Sequence, residues 1–301
     1  MLDKKYVCAG IVTFNPVEEL ITKCLKAILP QVDKIYIFDN GSCNRAFLDT
    51  LKEYNENIEI ESNSSNIGIA SALNYLCKSA KQDGYQWIIT MDQDSICEES
   101  MVEHLREYAD KGNYGIVAPR VEFWNDERLL TSTKYPEKQT YEIQACITSG
   151  SLTKIEAWIR VGGFDEWMFI DHVDNEFCVH LKDEGYSIIR VNAALLYQRA
   201  GEMKYRMMKD GSSMLLPYYS PKRQFFICRN TVYYLRKYRK SKNVRLLHEW
   251  GVLFYTIYLK LRYEKNRWST LCSSLKGIFA GITKRIEHIN YVTMDNNLKK
   301  N

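Results

Sequence analysis

The sequence predicts an α/β fold: a mainly parallel sheet flanked by helices, with a helical C-terminal region after it. Three observations predict it. Strand-like and helix-like runs alternate through the first 120 residues, polar turn clusters follow the strand-like runs, and helical spacing with many aromatic and basic residues takes over from Tyr218.

The elements follow in order. Residues 6–14 are apolar and β-rich, and residues 17–29 carry Val17, Leu20, Ile21, Cys24, Leu25 and Ile28 at helical spacing. A short strand over 34–38 ends in the turn formers Asp39-Asn40-Gly41-Ser42, followed by a helix over 47–54 and a strand over 58–61. A helix over 69–81 and a fourth strand over 86–91 come next, then a helix over 98–110 and a strand over 115–118. After Trp124 the pattern changes: a strand over 140–149, a short helix over 153–160, a helix over 173–183 and a strand over 187–191. These runs divide the chain into an α/β domain over 1–216, with halves 1–120 and 121–216, and a basic aromatic helical region over 217–301.

Composition narrows the classes. With 46% hydrophobic and 26% charged residues, the chain can bury a real core. Its nine cysteines are scattered and never spaced CxxC, which suits reduced thiols packed as small hydrophobes rather than a zinc ribbon or disulfide framework. With no leader ahead of the first strand, they point to a cytoplasmic protein. The net charge of +4 hides an asymmetry: from Lys222 to Asn301 there are 18 Lys and Arg against 4 Asp and Glu, a net +14, while the first 221 residues carry 23 against 33, a net −10. An acidic body is not the footprint of a basic nucleic-acid cleft, so no nucleic-acid partner is expected. The sequence holds no GxGxxG, no GxxxxGK[ST] and no GxSxG, which disfavours dinucleotide oxidoreductases, P-loop NTPases and nucleophile-elbow hydrolases.

In parallel sheets ligands bind at the carboxyl ends of strands. Four polar clusters fall there: Thr13-Phe14-Asn15, Asp39-Asn40, Asn63 to Asn66, and Asp92-Gln93-Asp94. Any one of them also fits an ordinary turn; four together point to one crevice. Asp92 and Asp94, fixed at the end of an apolar strand, can face one Mg²⁺ or Mn²⁺ whose shell phosphate oxygens complete, although Asp94 or Ser95 could equally cap the helix beginning near Glu98. A second acidic cluster holds Asp165, Asp171, Asp174 and Glu176. The helix dipole accounts for some of these acids. Asp174 in the first helical turn is the candidate general base for an acceptor hydroxyl, His172 the runner-up, and Asp171, His172 and Glu176 the acceptor-side candidates.

Taken in order, these segments resemble the family-2 glycosyltransferases, and within them the bacterial rhamnosyltransferase-like branch that builds O-antigen and capsule glycans. The likeness runs over residues 7–230. It is carried by Val12-Thr13-Phe14-Asn15-Pro16, Phe38-Asp39-Asn40-Gly41-Ser42, Asn66-Ile67-Gly68-Ile69-Ala70 with Asn74, and Asp92-Gln93-Asp94-Ser95. It continues through Ser149-Gly150-Ser151, Gly162-Gly163-Phe164-Asp165-Glu166, Phe169 to Phe177, Tyr218 to Arg223, and Arg229-Asn230. The resemblance implies a GT-A fold with a nucleotide-binding half and an acceptor half, and an inverting single displacement. It implies that Thr13, Asn15, Asp39, Asn40, Asn66, Gly68, Asp92 and Gln93 bind the nucleotide-sugar, that Asp92 and Asp94 hold the divalent cation, and that Asp174 is the base. The branch usually takes dTDP-L-rhamnose, related members UDP-activated hexoses or galactofuranose. The family often has a histidine, two residues and a glycine after the last sheet strand. Here Gln198-Arg199-Ala200-Gly201 stands in that place, and a glutamine carbonyl is a weaker ligand than imidazole. A GT-A-fold protein that binds nucleotide-sugars without catalysis is the alternative that the lost histidine favours.

The basic, aromatic tail has no stretch of about 20 apolar residues, so a spanning helix is not expected. Amphipathic helices on the inner face of the cell membrane suit its composition and a lipid-linked glycan acceptor. Packing on the α/β domain or in a homodimer are the other readings of the same residues.

Overall fold

The computed structural model describes residues 6–124, 139–201, 203–207, 213–217, 219–263 and 266–286. Eleven strands and nine α-helices lie within these residues. β1 (Val7–Thr13), α1 (Glu18–Ile28), β2 (Ile35–Asp39), α2 (Arg45–Tyr54), β3 (Ile58–Ser62), α3 (Ile69–Gln82) and β4 (Trp87–Asp92) reproduce the β-α repeat within a residue or two of expectation. β5 (Ile96–Cys97), α4 (Met101–Ala109), β6 (Tyr114–Trp124), β7 (Thr140–Glu142), β8 (Ser151–Lys154), α5 (Ile155–Val161), α6 (Val173–Asp183) and β9 (Ser187–Arg199) follow. The hairpin β10 (Met203–Met207) and β11 (Ser213–Pro217) precedes α7 (Pro221–Lys237), α8 (Leu246–Tyr263) and α9 (Arg267–Thr283).

Nine strands form one sheet in the order β3-β2-β1-β4-β8-β6-β9-β5, with β7 also on β9. The parallel run expected from the repeats is β3-β2-β1-β4. Beyond β4 the sheet is mixed: β8 runs antiparallel between β4 and β6, β6 and β9 are parallel, and β5 and β7 are antiparallel to β9. Two expected elements change accordingly. Of residues 140–149 only β7 is strand; Ile143 adds one N–H bond to the Ile188 carbonyl of β9, and farther on Thr148 and Ile147 give their carbonyls to the hydroxyls of Thr90 and Ser151. The helix expected over 153–160 begins at Ile155, since Ser151–Lys154 is the inserted strand.

The core explains the order. β1 and β4 bury Cys8, Ala9, Ile11, Trp87, Ile88 and Ile89 completely, and α1 adds Ile21, Cys24, Leu25 and Ile28. Each large aliphatic side chain buried this way contributes roughly 1.5–3 kcal/mol. All nine cysteines are free thiols, six of them buried.

Two compact units are present. The described residues of 6–169 and 173–199 form the α/β unit; residues 170–172 and the described part of 200–288 form a helical one, with which the β10–β11 hairpin sorts.

Candidate active site

In the α/β unit the chain runs outward from β1 to β2 and β3, then returns to place β4 on the other side of β1. That reversal opens a crevice at the carboxyl ends of the strands. Register sets its floor: Thr13 pairs with Asp39, Asp39 with Ser62, and Val12 with Asp92.

On the β1–β2 side the polar residues satisfy one another. Asp39 is fully buried, and its carboxylate accepts from the Ser42 backbone N–H at 3.2 and 3.3 Å, from the Ser42 hydroxyl, and from the Thr13 hydroxyl at 3.4 Å. Asn15, at φ 47°, takes the Cys43 N–H on Oδ1 at 2.8 Å and donates its own N–H to Ser42 Oγ at 2.7 Å. Asn40 accepts the Ile67 N–H at 2.8 Å and donates to the Gly68 carbonyl at 3.2 Å, while Asn66 accepts the Gly68 N–H at 2.9 Å. Gly68 stands at φ +89°, where a Cβ would meet Phe169 at 2.6 Å, so only glycine fits before α3. Thr13, Asn15, Asp39, Asn40, Asn66 and Gly68 are thus one connected loop scaffold. Gln93 joins it by accepting the Phe14 N–H at 2.9 Å and donating to the Phe14 carbonyl at 3.3 Å.

On the β4 side negative charge accumulates instead. Burial pushes the Asp92 carboxyl up from 3.8 to about 6; the charge of Asp94 adds to this, a hydrogen bond from Gln198 opposes it, and the charge of Asp174 adds again. Asp94 is also raised by burial, against its own backbone hydrogen bond and the charge of Arg199. Neither Asp94 nor Ser95 caps α4: β5 intervenes, and the helix starts after Ser100. The capping alternative is therefore excluded.

Asp174 lies in the first turn of α6 and accepts the Asn175 N–H at 2.8 Å. It lines a cavity of about 340 Å³ with Pro119, Phe123, Cys146, Ser149, Asn175 and Arg190 among its walls. Glu176, by contrast, is 1% exposed, with Oε1 4.0 Å from His180 Nδ1, and does not line this cavity. Asp171 and His172 belong to the helical unit. There Arg223 holds the Asp171 carboxylate at 3.0–3.3 Å and His172 Nε2 lies 2.7 Å from Thr231 Oγ1. Asn230 donates to the Ile170 and Asp171 carbonyls at 2.6 and 2.9 Å, and Asp171 and His172 sit at φ 65° and 63°. Such left-handed backbone in non-glycine residues persists only where neighbours hold it, and those six hydrogen-bonded contacts do so.

Gln198 does something its sequence position did not announce. Ser149 Oγ accepts the Asp92 N–H at 3.0 Å and lies 2.8 Å from Ser95 Oγ; Ser95 donates to the Gln198 carbonyl at 2.5 Å, and the Gln198 amide donates to Asp92 Oδ2 at 3.0 Å. A carboxylate can only accept, so the amide nitrogen must face it. The glutamine carbonyl is thereby engaged by Ser95, and its amide props the Asp92 carboxylate. Ser149 and Ser95 were visible within motifs, but no local signal announced that they meet, 54 residues apart, and link the Asp92 backbone to Gln198.

The carboxylate pair can be tested against a divalent cation. Among the described residues no group of three or more His, Cys, Asp or Glu side chains is set for a metal. Asp92 and Asp94 nevertheless fit a cation whose other ligands are diphosphate and water, since the charge of Asp94 disfavours the ionised Asp92 carboxylate beside it and a divalent cation would offset that.

A parallel half-sheet with acids at its reversal, a mixed second half, and an acidic helix start lining a cavity together define a GT-A glycosyltransferase. The chain belongs to glycosyl transferase family 2, whose sequence profile matches residues 8–164. It is 24% identical over 293 residues to the dTDP-rhamnosyl transferase RfbF of Shigella flexneri, covering 91% of this chain and 97% of that one. Among solved structures, S. aureus TarS 1-349 in complex with UDP-GlcNAc matches with a TM-score of 0.58 at 12% identity, over 91% of this chain and 79% of that one. GalNAc-T7 with UDP, GalNAc and Mn²⁺ matches at 0.58 and 11% identity, over 90% of this chain and 57% of that longer one. The protein is a glycosyltransferase that moves a sugar from a nucleotide-sugar.

Proposed function

We propose that this chain is an inverting rhamnosyltransferase-like enzyme, taking L-rhamnose from dTDP-rhamnose to a glycan or lipid-linked glycan acceptor at the inner face of a cell membrane. The observation that carries the reading is a convergence: the cavity that Asp174 lines is also walled by Ser149, whose hydroxyl accepts the Asp92 N–H at 3.0 Å at the end of β4, some eighty positions away along the chain. The similarity to a dTDP-rhamnosyl transferase over nearly the whole chain supports the donor.

In this reading the loop scaffold of Thr13, Asn15, Asp39, Asn40, Asn66 and Gly68 receives the nucleotide, with Gln93 fixing its β1 edge. Asp92 and Asp94 would hold Mg²⁺ or Mn²⁺, which when bound neutralises the departing diphosphate. The acceptor hydroxyl attacks the anomeric carbon while the bond to the diphosphate breaks, its electron pair leaving with the nucleoside diphosphate. The hydroxyl proton passes to the Asp174 carboxylate, and single displacement inverts the anomeric centre. The test is transfer by purified protein from dTDP-rhamnose, UDP-GlcNAc and UDP-galactofuranose, beside thermal shift with each donor. Transfer and stabilisation by dTDP-rhamnose are expected; preference for a UDP-sugar would overturn the donor, and full transfer by Asp174→Asn would overturn the base.

A further inference from the structure

α9 is built inside out. Its buried residues are small: Thr270, Ser274, Gly277 and Gly281. They let α9 lie close on α7, where a Cβ at Gly277 would strike the Phe225 carbonyl and one at Gly281 the Arg229 carbonyl. Leu271 and Ile278 are half-buried, but four of the helix's large apolar residues face outward: Trp268 is 79% exposed, Leu275 58%, Phe279 68% and Ile282 52%. At ~100° per residue these four fall within about 60° of one another around the helix axis, so they form one stripe.

α8 repeats the pattern. Leu247, Phe254 and Tyr258 are exposed on one face, at the same i, i+7, i+11 spacing as Trp268, Leu275 and Phe279. Ordinary surface helices turn such residues inward, and exposed apolar stripes of this kind mark a surface that something covers.

Charge identifies the occupant. Arg267 and Lys276 are exposed and flank the α9 stripe on its two sides, and exposed Arg239, Lys240, Lys242, Arg245 and Arg285 lie in the same unit. Among its described residues from Lys222 to Ile286, Glu249 is the acid. A second copy of this chain would bring the same positive charge against itself, whereas an anionic leaflet would neutralise it. No described helix is long and apolar enough to cross a membrane.

We infer that the exposed faces of α8 and α9 form a monolayer-insertion surface for anionic lipid, with Trp268, Leu275 and Phe279 entering the acyl boundary and the flanking Arg and Lys meeting the headgroups. This deepens the membrane-linked acceptor reading by naming the surface that holds the enzyme there.

The experiment is flotation of the full chain with vesicles of phosphatidylglycerol and phosphatidylcholine in equal parts, and with phosphatidylcholine alone. Wild type is expected to float with the anionic vesicles, less so in high salt, and the triple variant Trp268→Ser, Leu275→Ser, Phe279→Ser to partition at least ~10-fold more weakly. Circular dichroism and light scattering on the same samples report fold and oligomeric state. A folded wild type that ignores anionic vesicles, or a triple variant that binds them unchanged, overturns the inference. So does a wild-type dimer that the triple substitution splits without any vesicle binding, which would give the face to a second copy. Asp174→Asn should bind vesicles like wild type, so loss of the catalytic reading and loss of this one are told apart.

Discussion

Two ends of the same crevice handle polar atoms in opposite ways. At the β1–β2 end, Asp39 is fully buried yet surrounded by donors from Ser42 and Thr13. At the β4 end, Asp92 has one side-chain donor, Gln198, and two acidic neighbours in Asp94 and Asp174, and its carboxyl rises to about 6. The difference teaches that similar residues at similar strand ends do different jobs. The first end is a scaffold whose polar groups already bond one another. The second holds an electrostatic demand that a cation and a diphosphate can meet.

Breaking the second end at its chemistry should have the largest effect. Asp174→Asn keeps the shape and removes the proton acceptor, and transfer is expected to fall ~10²–10⁴-fold with the melting temperature nearly unchanged. Steady-state assays beside thermal melts check this; a fall in melting temperature that accounts for the lost activity would assign Asp174 a structural role.

Breaking the first end should cost stability instead. Asp39→Asn places an amide where a carboxylate accepts several donors, and about 1–3 kcal/mol is expected to be lost in urea unfolding. The matching change Asp92→Asn removes repulsion, so the metal-free protein should hold or gain stability while losing its response to Mn²⁺. Equal destabilisation by both substitutions would erase the contrast.

A pH series sharpens it further. The folded protein binds the Asp92 proton more tightly than the unfolded chain, so between about pH 4 and about pH 6 metal-free stability should decline as pH rises. Mn²⁺ should raise the melting temperature most above pH 6, where the carboxylate is ionised. Stability that climbs smoothly through this window in Asp92-dependent fashion would contradict the raised pKa.

The smallest effect is expected from Gln198→Leu, which removes the prop from Asp92 without removing a carboxylate. Mn²⁺ affinity measured by electron paramagnetic resonance should weaken roughly 10-fold, about 1.5 kcal/mol for one hydrogen bond to a charged group, whereas Gln198→Glu, which sets a further carboxylate beside Asp92, should strengthen it. Unchanged affinity in both would make the Ser149–Ser95–Gln198 chain a packing feature only.

Much of this molecule was legible from residue order because local physics wrote it there. Hydrophobic periodicity of 2 and 3.6 placed β1 to β4 with α1 to α3, and Asp92, Asp94 and Asp174 stood out as acids at a strand end and a helix start. What tertiary structure decided depends on partners distant in the chain. The end of β8, Thr153 and Lys154, reads as the start of a helix until the strand is seen wedged between β4 and β6, and the fit of Gly68 rests on Phe169, a hundred positions away. Asn15, Asn40 and Asn66 read as ligands, but each spends hydrogen-bonding groups on neighbouring backbone. Gln198 reads as a weakened ligand until Ser95 is seen on its carbonyl, and which face of α9 turns outward is decided by α7 lying against its glycines. A sequence records how apolar a residue is; which way it faces follows from what else the chain brings to the same place.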